Sequence, residues 1–251
     1  MPQPLSSQVE FATPQAIRTK RVERLFYVGM SVALLLTVFA GFARTYFLKA
    51  YFGTPALPAL VHFHGIVFTS WFVLFFVQTS LVAAGRIDIH RRLGIAGAGV
   101  AVLLVGLGTV TAIGGAAAGR SPPGGPPPLV FLAIPLEAMV VFSALVGAGL
   151  YYRRRPDVHK RLMLFATIAI CAAAVSRLPF AFLKAGPPAF FGLTDLFLVP
   201  CVAIDFMTRG RIHPVTVWGS LFIIASQVLC VIVGGTQTWL EFAGWLTHFS
   251  A

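Results

Sequence analysis

Apolar residues fill most of this chain in long continuous runs, which short stretches of charged residues, glycine and proline separate. A helix needs about 20 mostly apolar residues to cross the hydrocarbon core of a membrane. Seven runs qualify, over residues 25–48, 57–85, 93–118, 129–152, 161–184, 189–207 and 215–235. Because the runs lack the period-two alternation of a membrane barrel, they predict an all-α, polytopic transmembrane bundle of seven helices.

The composition excludes most other classes of protein. Of the 251 residues, 57% are hydrophobic and only 11% are charged, whereas soluble domains carry about 25% charged residues. The three cysteines lie inside apolar runs and form no CxxC pair, so they indicate no metal motif. The net charge of +11 arises mostly in connectors rather than in a separate basic domain, so we expect no nucleic-acid partner.

The cations lie mainly on one side of the predicted bundle. Fourteen of the 19 Lys and Arg residues fall on the side of the N-terminus: Arg18, Lys20, Arg21, Arg24, Arg86, Arg91, Arg92, Arg153, Arg154, Arg155, Lys160, Arg161, Arg209 and Arg211. Only Arg44, Lys49, Arg120 and Lys184 fall on the other side. Since cytoplasmic loops collect Lys and Arg, we predict a bacterial inner-membrane protein with a cytoplasmic N-terminus and a periplasmic C-terminus.

Three regions follow from this topology. Residues 1–24 are predicted to form a cytoplasmic tail, residues 25–235 the bundle, and residues 236–251 a periplasmic tail. In the last region Trp239, Phe242, Trp245, Leu246 and Phe249 share one helical face, which predicts a short helix at the membrane interface. The third span is rich in glycine and has no ionisable group, so we expect it at the centre of the bundle.

A short motif occurs twice at the basic connectors. The pattern Asp-x-His-[Arg/Lys]-Arg-Leu begins at Asp88 and again at Asp157, and a looser Arg-Ile-His-Pro ends at Pro214. We expect the two aspartates to cap the helices that follow. Alternatively, the three histidines of these corners form a cytoplasmic triad that binds a metal or carries protons, although the adjacent cations oppose metal binding. These histidines are His90, His159 and His213.

Ionisable residues inside the spans are the leading site candidates, because each costs roughly 2.5–3.5 kcal/mol to insert. At 1.5 Å per residue, His62, His64, Glu137, Arg177 and Asp195 all lie about 8–12 Å below the periplasmic end of their helices. Arg177 between Glu137 and Asp195 would keep both carboxylates ionised. This layer is interpreted either as a clamp between helices or as a functional pocket.

The second span presents one helical face toward that layer. The face carries His64, Phe68, Trp71, Phe75 and Gln78 at the spacing of a helix seam. Because His62 and His64 point about 200° apart, we expect His64 to face inward and His62 to lie near the aqueous mouth. We expect Gln78 and Gln227 to satisfy polar groups deeper in the bundle.

These candidates favour three classes of function. The first is the binding or translocation of a small ligand, a proton or a metal ion through an outward-facing polar pocket. The second is membrane redox chemistry, with haem held by cytoplasmic histidines or a transition metal held by His64, Glu137 and Asp195, for whose carboxylates Arg177 competes. The third is a structural or assembly subunit of a membrane complex. Whether the protein is an enzyme stays open, and the lipid bilayer is the one partner that every class shares.

Several sequence pieces resemble a family of uncharacterised bacterial multi-span inner-membrane proteins. They are His62-Phe-His-Gly65 with Trp71, Gln78 and Leu81, His90-Arg-Arg-Leu-Gly94, Asp205 to Pro214, and Trp218-Gly219. The resemblance covers roughly residues 57–248. The basic corners are also loosely similar to small membrane families, some of them linked to cytochrome oxidase assembly. The resemblance implies a multi-span membrane bundle and brings no activity and no residue roles.

Overall fold

The computed structural model describes residues 14–122 and 125–248, and side chains from residue 18 onward. The α-helices are α1 Pro14–Phe42, α2 Ala59–Ala83, α3 Ile87–Ala117, α4 Pro128–Phe131, α5 Ala133–Tyr151, α6 Pro156–Val175, α7 Pro187–Asp195, α8 Leu198–Arg209, α9 Pro214–Gly234 and α10 Gln237–His248. A π-helix, Ala43–Phe47, continues α1, and a 3₁₀-helix, Ala181–Ala185, precedes α7. No strand occurs in these two ranges.

Seven helical segments are long and apolar enough to cross a membrane, which confirms the predicted number of spans. They are Arg18–Phe47, Ala59–Ala83, Ile87–Ala117, Pro128–Tyr151, Pro156–Val175, Pro187–Arg209 and Pro214–Gly234. The helix of the first span begins inside the predicted N-terminal tail, and the sixth span consists of two helices rather than one.

The fifth span ends well before its predicted boundary at residue 184. Helix α6 stops at Val175 because Pro179 has no N–H to bond the carbonyl of Val175, and because a residue before proline avoids the helical conformation. Arg177 therefore lies just beyond the helix, not inside a spanning helix as predicted.

Helix α6 occupies the centre of the bundle, and the prediction that the third span lies there is wrong. In α6, 72% of the most apolar stretch is buried, against 22% in α3. Helix α6 contacts α1, α5, α7 and α9. The glycines of α3 allow close approach on one side only: Gly97 faces Leu74 and Gly108 faces Met139, whereas Gly106 has open space beside it.

Contacts between helix ends define two faces of the bundle. Helices α1, α3, α6 and α9 all begin at the basic face. There a salt bridge between Glu23 and Lys160 connects α1 to α6, and the neighbouring rings of His90 and His159 connect α3 to α6. On the opposite face, α10 packs against α3 and α4 and buries Ala243 completely. Of the face predicted for this tail, Phe249 lies outside the described residues.

Candidate functional site

A cavity of about 280 Å³ opens on the opposite face between the π-helix, α2 and the chain after α6. Its lining consists of Phe42, Thr45, Tyr46, Phe47, Leu57, Val61, His64, Gly65, Phe68, Thr69 and Arg177. We call this space the Arg177 cavity. Its walls are mostly aromatic and aliphatic, and Arg177 is the one cation among the lining residues.

The π-helix shapes one wall of the Arg177 cavity. The wider turn closes with a hydrogen bond of 2.7 Å from the Leu48 N–H to the Ala43 carbonyl, and it brings Tyr46 over α2. The Tyr46 hydroxyl donates to the carbonyl of His62 at 3.2 Å. Its ring lies on Gly65, where a Cβ atom would come within 2.6 Å of the ring. Glycine at position 65 is therefore what lets the tyrosine close this wall.

Arg177 enters the cavity without an acidic partner. Its Nη1 donates to the carbonyl of Ala173 and to Ser176 Oγ, the latter at 3.3 Å. The guanidinium lies 4.9 Å from the centre of the Phe42 ring, within the range of a cation–π interaction. Among the described residues, no carboxylate lies within 4.0 Å of it.

His64 also lines the cavity. Its ring packs 5.7 Å from the ring of Phe68. The Nδ1 atom is buried and has no hydrogen-bond partner in the structure. Buried polar atoms normally have a partner, so this nitrogen is a hydrogen-bonding group that the protein itself leaves unused. His62, in contrast, lies against Tyr46, with ring centres 5.8 Å apart.

The predicted cluster of Glu137, Arg177 and Asp195 does not form. Glu137 contacts Ser226 of α9, with 2.7 Å between the oxygens, and Asp195 accepts a hydrogen bond of 3.0 Å from the Gln227 side chain. The expected bridge is wrong because Arg177 lies beyond the end of α6, on the side of α1 and α2. Both carboxyl groups instead contact α9.

The predicted metal ligands are separated for the same reason. His64 lines the Arg177 cavity, whereas Glu137 and Asp195 flank α9. Within residues 14–122 and 125–248, no group of three or more His, Cys, Asp or Glu side chains is arranged to hold a metal ion.

Trp71 and Gln78 lie away from the cavity, toward the middle of the bundle and the basic face. The Trp71 indole N–H donates to Thr167 Oγ1 at 3.2 Å, and its ring meets Phe142 edge-on at 4.8 Å. Gln78 lies against Gly94 of α3, and its Oε1 is buried without a partner. The predicted face of α2 thus serves mainly to pack against neighbouring helices, and only its residues in the first turns line the cavity.

A buried ionic network joins α6, α8 and α9 near the basic face. Arg161 and Asp205, which are 4% and 1% exposed, form a salt bridge. The Asp205 carboxylate also accepts bonds from the Thr216 hydroxyl and, at 3.1 Å, from the backbone N–H of His213. The Arg161 Nη1 donates to the carbonyl of Asp157 at 2.7 Å. These bonds satisfy both charges, so the network holds the start of α9 against α6 and α8.

His213 takes part in this network as a neutral ring with one defined tautomer. Its Nδ1 accepts the Val215 N–H at 3.1 Å and so caps α9. The proton therefore resides on Nε2, which donates to Asp157 Oδ2 at 3.2 Å. Burial, the largest cause, lowers the pKa of His213 below its ordinary value, although the hydrogen bond to Asp157 acts in the opposite direction.

The three corner histidines do not form a triad. His90 and His159 have ring centres 6.3 Å apart, and the Nδ1 of His159 bonds the carbonyl of Gly149 at 2.7 Å. His213 bonds Asp157 instead of joining them.

The two corner aspartates are not capping residues. Asp88 and Asp157 lie in the first turn of α3 and α6, and the N-cap positions are held by Arg86 and Arg155 without a side-chain cap bond. A carboxylate in a first turn still interacts favourably with the helix dipole.

Sequence reasoning overlooked the charged pair of the network. The sequence pattern places Arg161 among the connector cations and indicates no separate role for Asp205. One signal was available: a carboxylate inside an apolar span requires a partner, and Arg161 stands at the start of another span at the same face.

Comparison of the chain with protein-family models, with curated proteins and with solved structures gives no match. The suspected family membership therefore stays a prediction.

Proposed function

We propose that this chain is a multi-pass protein of the bacterial inner membrane that binds a small anionic ligand in the Arg177 cavity. The observation that carries the proposal is that one cavity is lined both by a guanidinium without a carboxylate partner and by His64, whose buried Nδ1 has no hydrogen-bond partner. The excess of cations on the basic face supports a cytoplasmic N-terminus. With that orientation the cavity opens toward the periplasm and α10 lies at the periplasmic interface.

The chemistry of the lining selects the kind of ligand. A guanidinium binds carboxylate or phosphate oxygens with two parallel hydrogen bonds, and a neighbouring imidazole adds a donor or an acceptor. Phe42 and Phe68 offer apolar surface to the remainder of the molecule. The volume of about 280 Å³ is slightly below the roughly 300–1,000 Å³ of drug-sized sites. A short amphipathic anion therefore fits best.

The other functional classes receive less support from this arrangement. A metal cation beside Arg177 would meet a like charge, which disfavours it. A purely structural clamp would pair Arg177 with Glu137 or Asp195, and neither carboxylate contacts it. Ligand binding, with or without translocation, accounts for the unpaired groups that the clamp leaves unexplained.

Titration of the protein in a neutral detergent tests the proposal. Hexanoate is the probe, and hexanol and hexylammonium of the same chain length control for apolar contact. A short-chain phosphatidylglycerol in a parallel titration separates a lipid headgroup from a soluble carboxylate as the source of the anion. Hydrogen bonds to charged groups contribute about 1.5–3 kcal/mol, so Arg177→Gln is expected to raise the Kd roughly 10- to 150-fold.

Lys184 provides the matched control, because it is a cation on the same face that does not line the cavity. Lys184→Gln is expected to change the Kd less than about twofold, because a charge outside the cavity makes no hydrogen bond to the bound anion. Binding of hexylammonium as tight as that of hexanoate, or an unchanged Kd in Arg177→Gln, would overturn the proposal.

A further inference from the structure

Glu137 lies within the span Pro128–Tyr151 and meets α9 through a single polar contact. Its Oε1 is 2.7 Å from Ser226 Oγ, and that hydroxyl is also 2.8 Å from the carbonyl of Ile223. The side chain is half-buried. Both oxygen–oxygen distances are those of hydrogen bonds.

The proton count at Ser226 decides the state of this carboxyl group. A serine hydroxyl carries one proton and donates one hydrogen bond. If it donates to Glu137, the short contact with Ile223 joins two oxygens with no proton between them. If it donates to Ile223, the Glu137 carboxyl must itself donate to Ser226 Oγ. A proton on Glu137 is the arrangement that gives both short contacts a hydrogen.

The charges around Glu137 agree with this assignment. Among the described residues no Lys, Arg or His lies within 4.0 Å of the carboxyl group. The Ser226 hydroxyl contacts it from α9 and the Cys230 thiol interacts with it electrostatically, and no charged side chain of α3, α4 or α6, the other helices packed on α5, does so among the described residues. An unpaired carboxylate inside a membrane is costly, and burial is commonly relieved by neutralisation. We propose that Glu137 is a proton-binding site, occupied in this conformation, with Ser226 Oγ as the acceptor of the bound proton.

The proposal is independent of ligand binding in the Arg177 cavity, because Glu137 and Arg177 share no contact. Carboxyl groups that bind protons within spans are typical of proton relays, so the site marks α5 and α9 as the helices through which a proton would be exchanged. Release of that proton requires that Ser226 change its hydrogen bond.

Reaction with dicyclohexylcarbodiimide in lipid vesicles tests this site. The reagent partitions into the bilayer, and the proton and carboxylate oxygen of an un-ionised carboxyl group add across its C=N bond, so that the whole reagent stays attached. Peptide mass spectrometry of the wild-type protein locates the adduct. We expect Glu137 to be modified at least tenfold more than Glu23, which pairs with Lys160, and Glu241, which accepts from Gln237 on the surface.

Two further measurements make the test decisive. Modification of Glu137 is expected to fall as the pH is raised, because the ionised form does not react, and Glu137→Gln is expected to lose the adduct. The pH series uses the wild-type protein, so it does not depend on the folding of the variant. Absence of an adduct at Glu137 near neutral pH would overturn the proposal. Modification of Glu23 or Glu241 to the same extent as Glu137 would also overturn it.

Discussion

Replacement of Asp205 by alanine leaves the guanidinium of Arg161 buried without a counter-charge. The side chains of Asp205 and Arg161 are 1% and 5% exposed, so water does not substitute for the lost carboxylate. Removal of one partner of a buried ion pair costs about 3–5 kcal/mol. The variant also frees the hydroxyl of Thr216 and the N–H of His213, which both donate to Asp205. The predicted loss is a large part of a typical stability of about 5–15 kcal/mol.

Thermal melting and denaturant titration in detergent measure this loss, and a second ion pair on the same face serves as the control. Glu23 and Lys160 lie 2.7 Å apart, with side chains 21% and 27% exposed. Exposed pairs contribute about 0–1 kcal/mol, so Glu23→Gln is expected to lower the free energy of unfolding by no more than that. Equal losses in the Asp205→Ala and Glu23→Gln variants would refute the reasoning.

A double variant distinguishes the cost of the unpaired charge from other effects of the substitution on the fold. Because an apolar pair of similar volume often replaces a buried ion pair at little cost, Arg161→Met combined with Asp205→Leu is expected to be more stable than Asp205→Ala alone. A double variant no more stable than the single one would mean that the charge left behind is not the source of the loss.

Two other predictions concern a titration and a helix contact. Burial lowers the pKa of His213, so its contribution to stability is present above about pH 6.5 and is lost as the pH falls through the folded-state pKa. The melting temperature is therefore expected to fall between pH 7.5 and about pH 5, and to fall less in the His213→Asn variant. Equal pH profiles of the two proteins would contradict this prediction. A Cβ at Gly41 would collide with the backbone carbonyl of Ala174, whereas one at Gly29 in the same helix would meet nothing within 4 Å. Gly41→Ala is therefore expected to destabilise the protein by about 1–3 kcal/mol, and Gly29→Ala to stabilise it slightly. The melting temperatures of the two variants measure the difference, and the reverse order would contradict the packing of α1 on α6.

The number and order of the spans follow from the sequence because lipid acts on each helix separately. A run of about 20 apolar residues is stable in the bilayer whatever its neighbours are. Breakers such as Pro179 also act locally, yet the apolar pattern predicts a later end for the fifth span than Val175, because residues 178–183 after Ser176 and Arg177 are apolar again. Hydropathy does not distinguish an apolar helix from an apolar loop.

The candidate site was less predictable, because the depth of a residue in the membrane does not tell which side of the bundle its side chain faces. Glu137 and Arg177 were predicted at a similar depth, but they lie on different sides of the bundle and make separate contacts. His64 and Arg177 meet in one cavity because the π-helix after α1 and the early end of α6 leave room between them. The π-helix has no clear signal in the sequence, and Pro179 signals the end of α6 without indicating which side chains lie beside it.

The sequence by itself determined a seven-span helical bundle and the side on which its cations collect, because both depend on one helix at a time and its solvent. The tertiary structure decided which polar groups meet. It pairs Arg161 with Asp205, separates Arg177 from both membrane carboxyl groups and places α6, not the glycine-rich third span, at the centre. These outcomes depend on the rotation of each helix about its axis, which packing between side chains of distant segments sets.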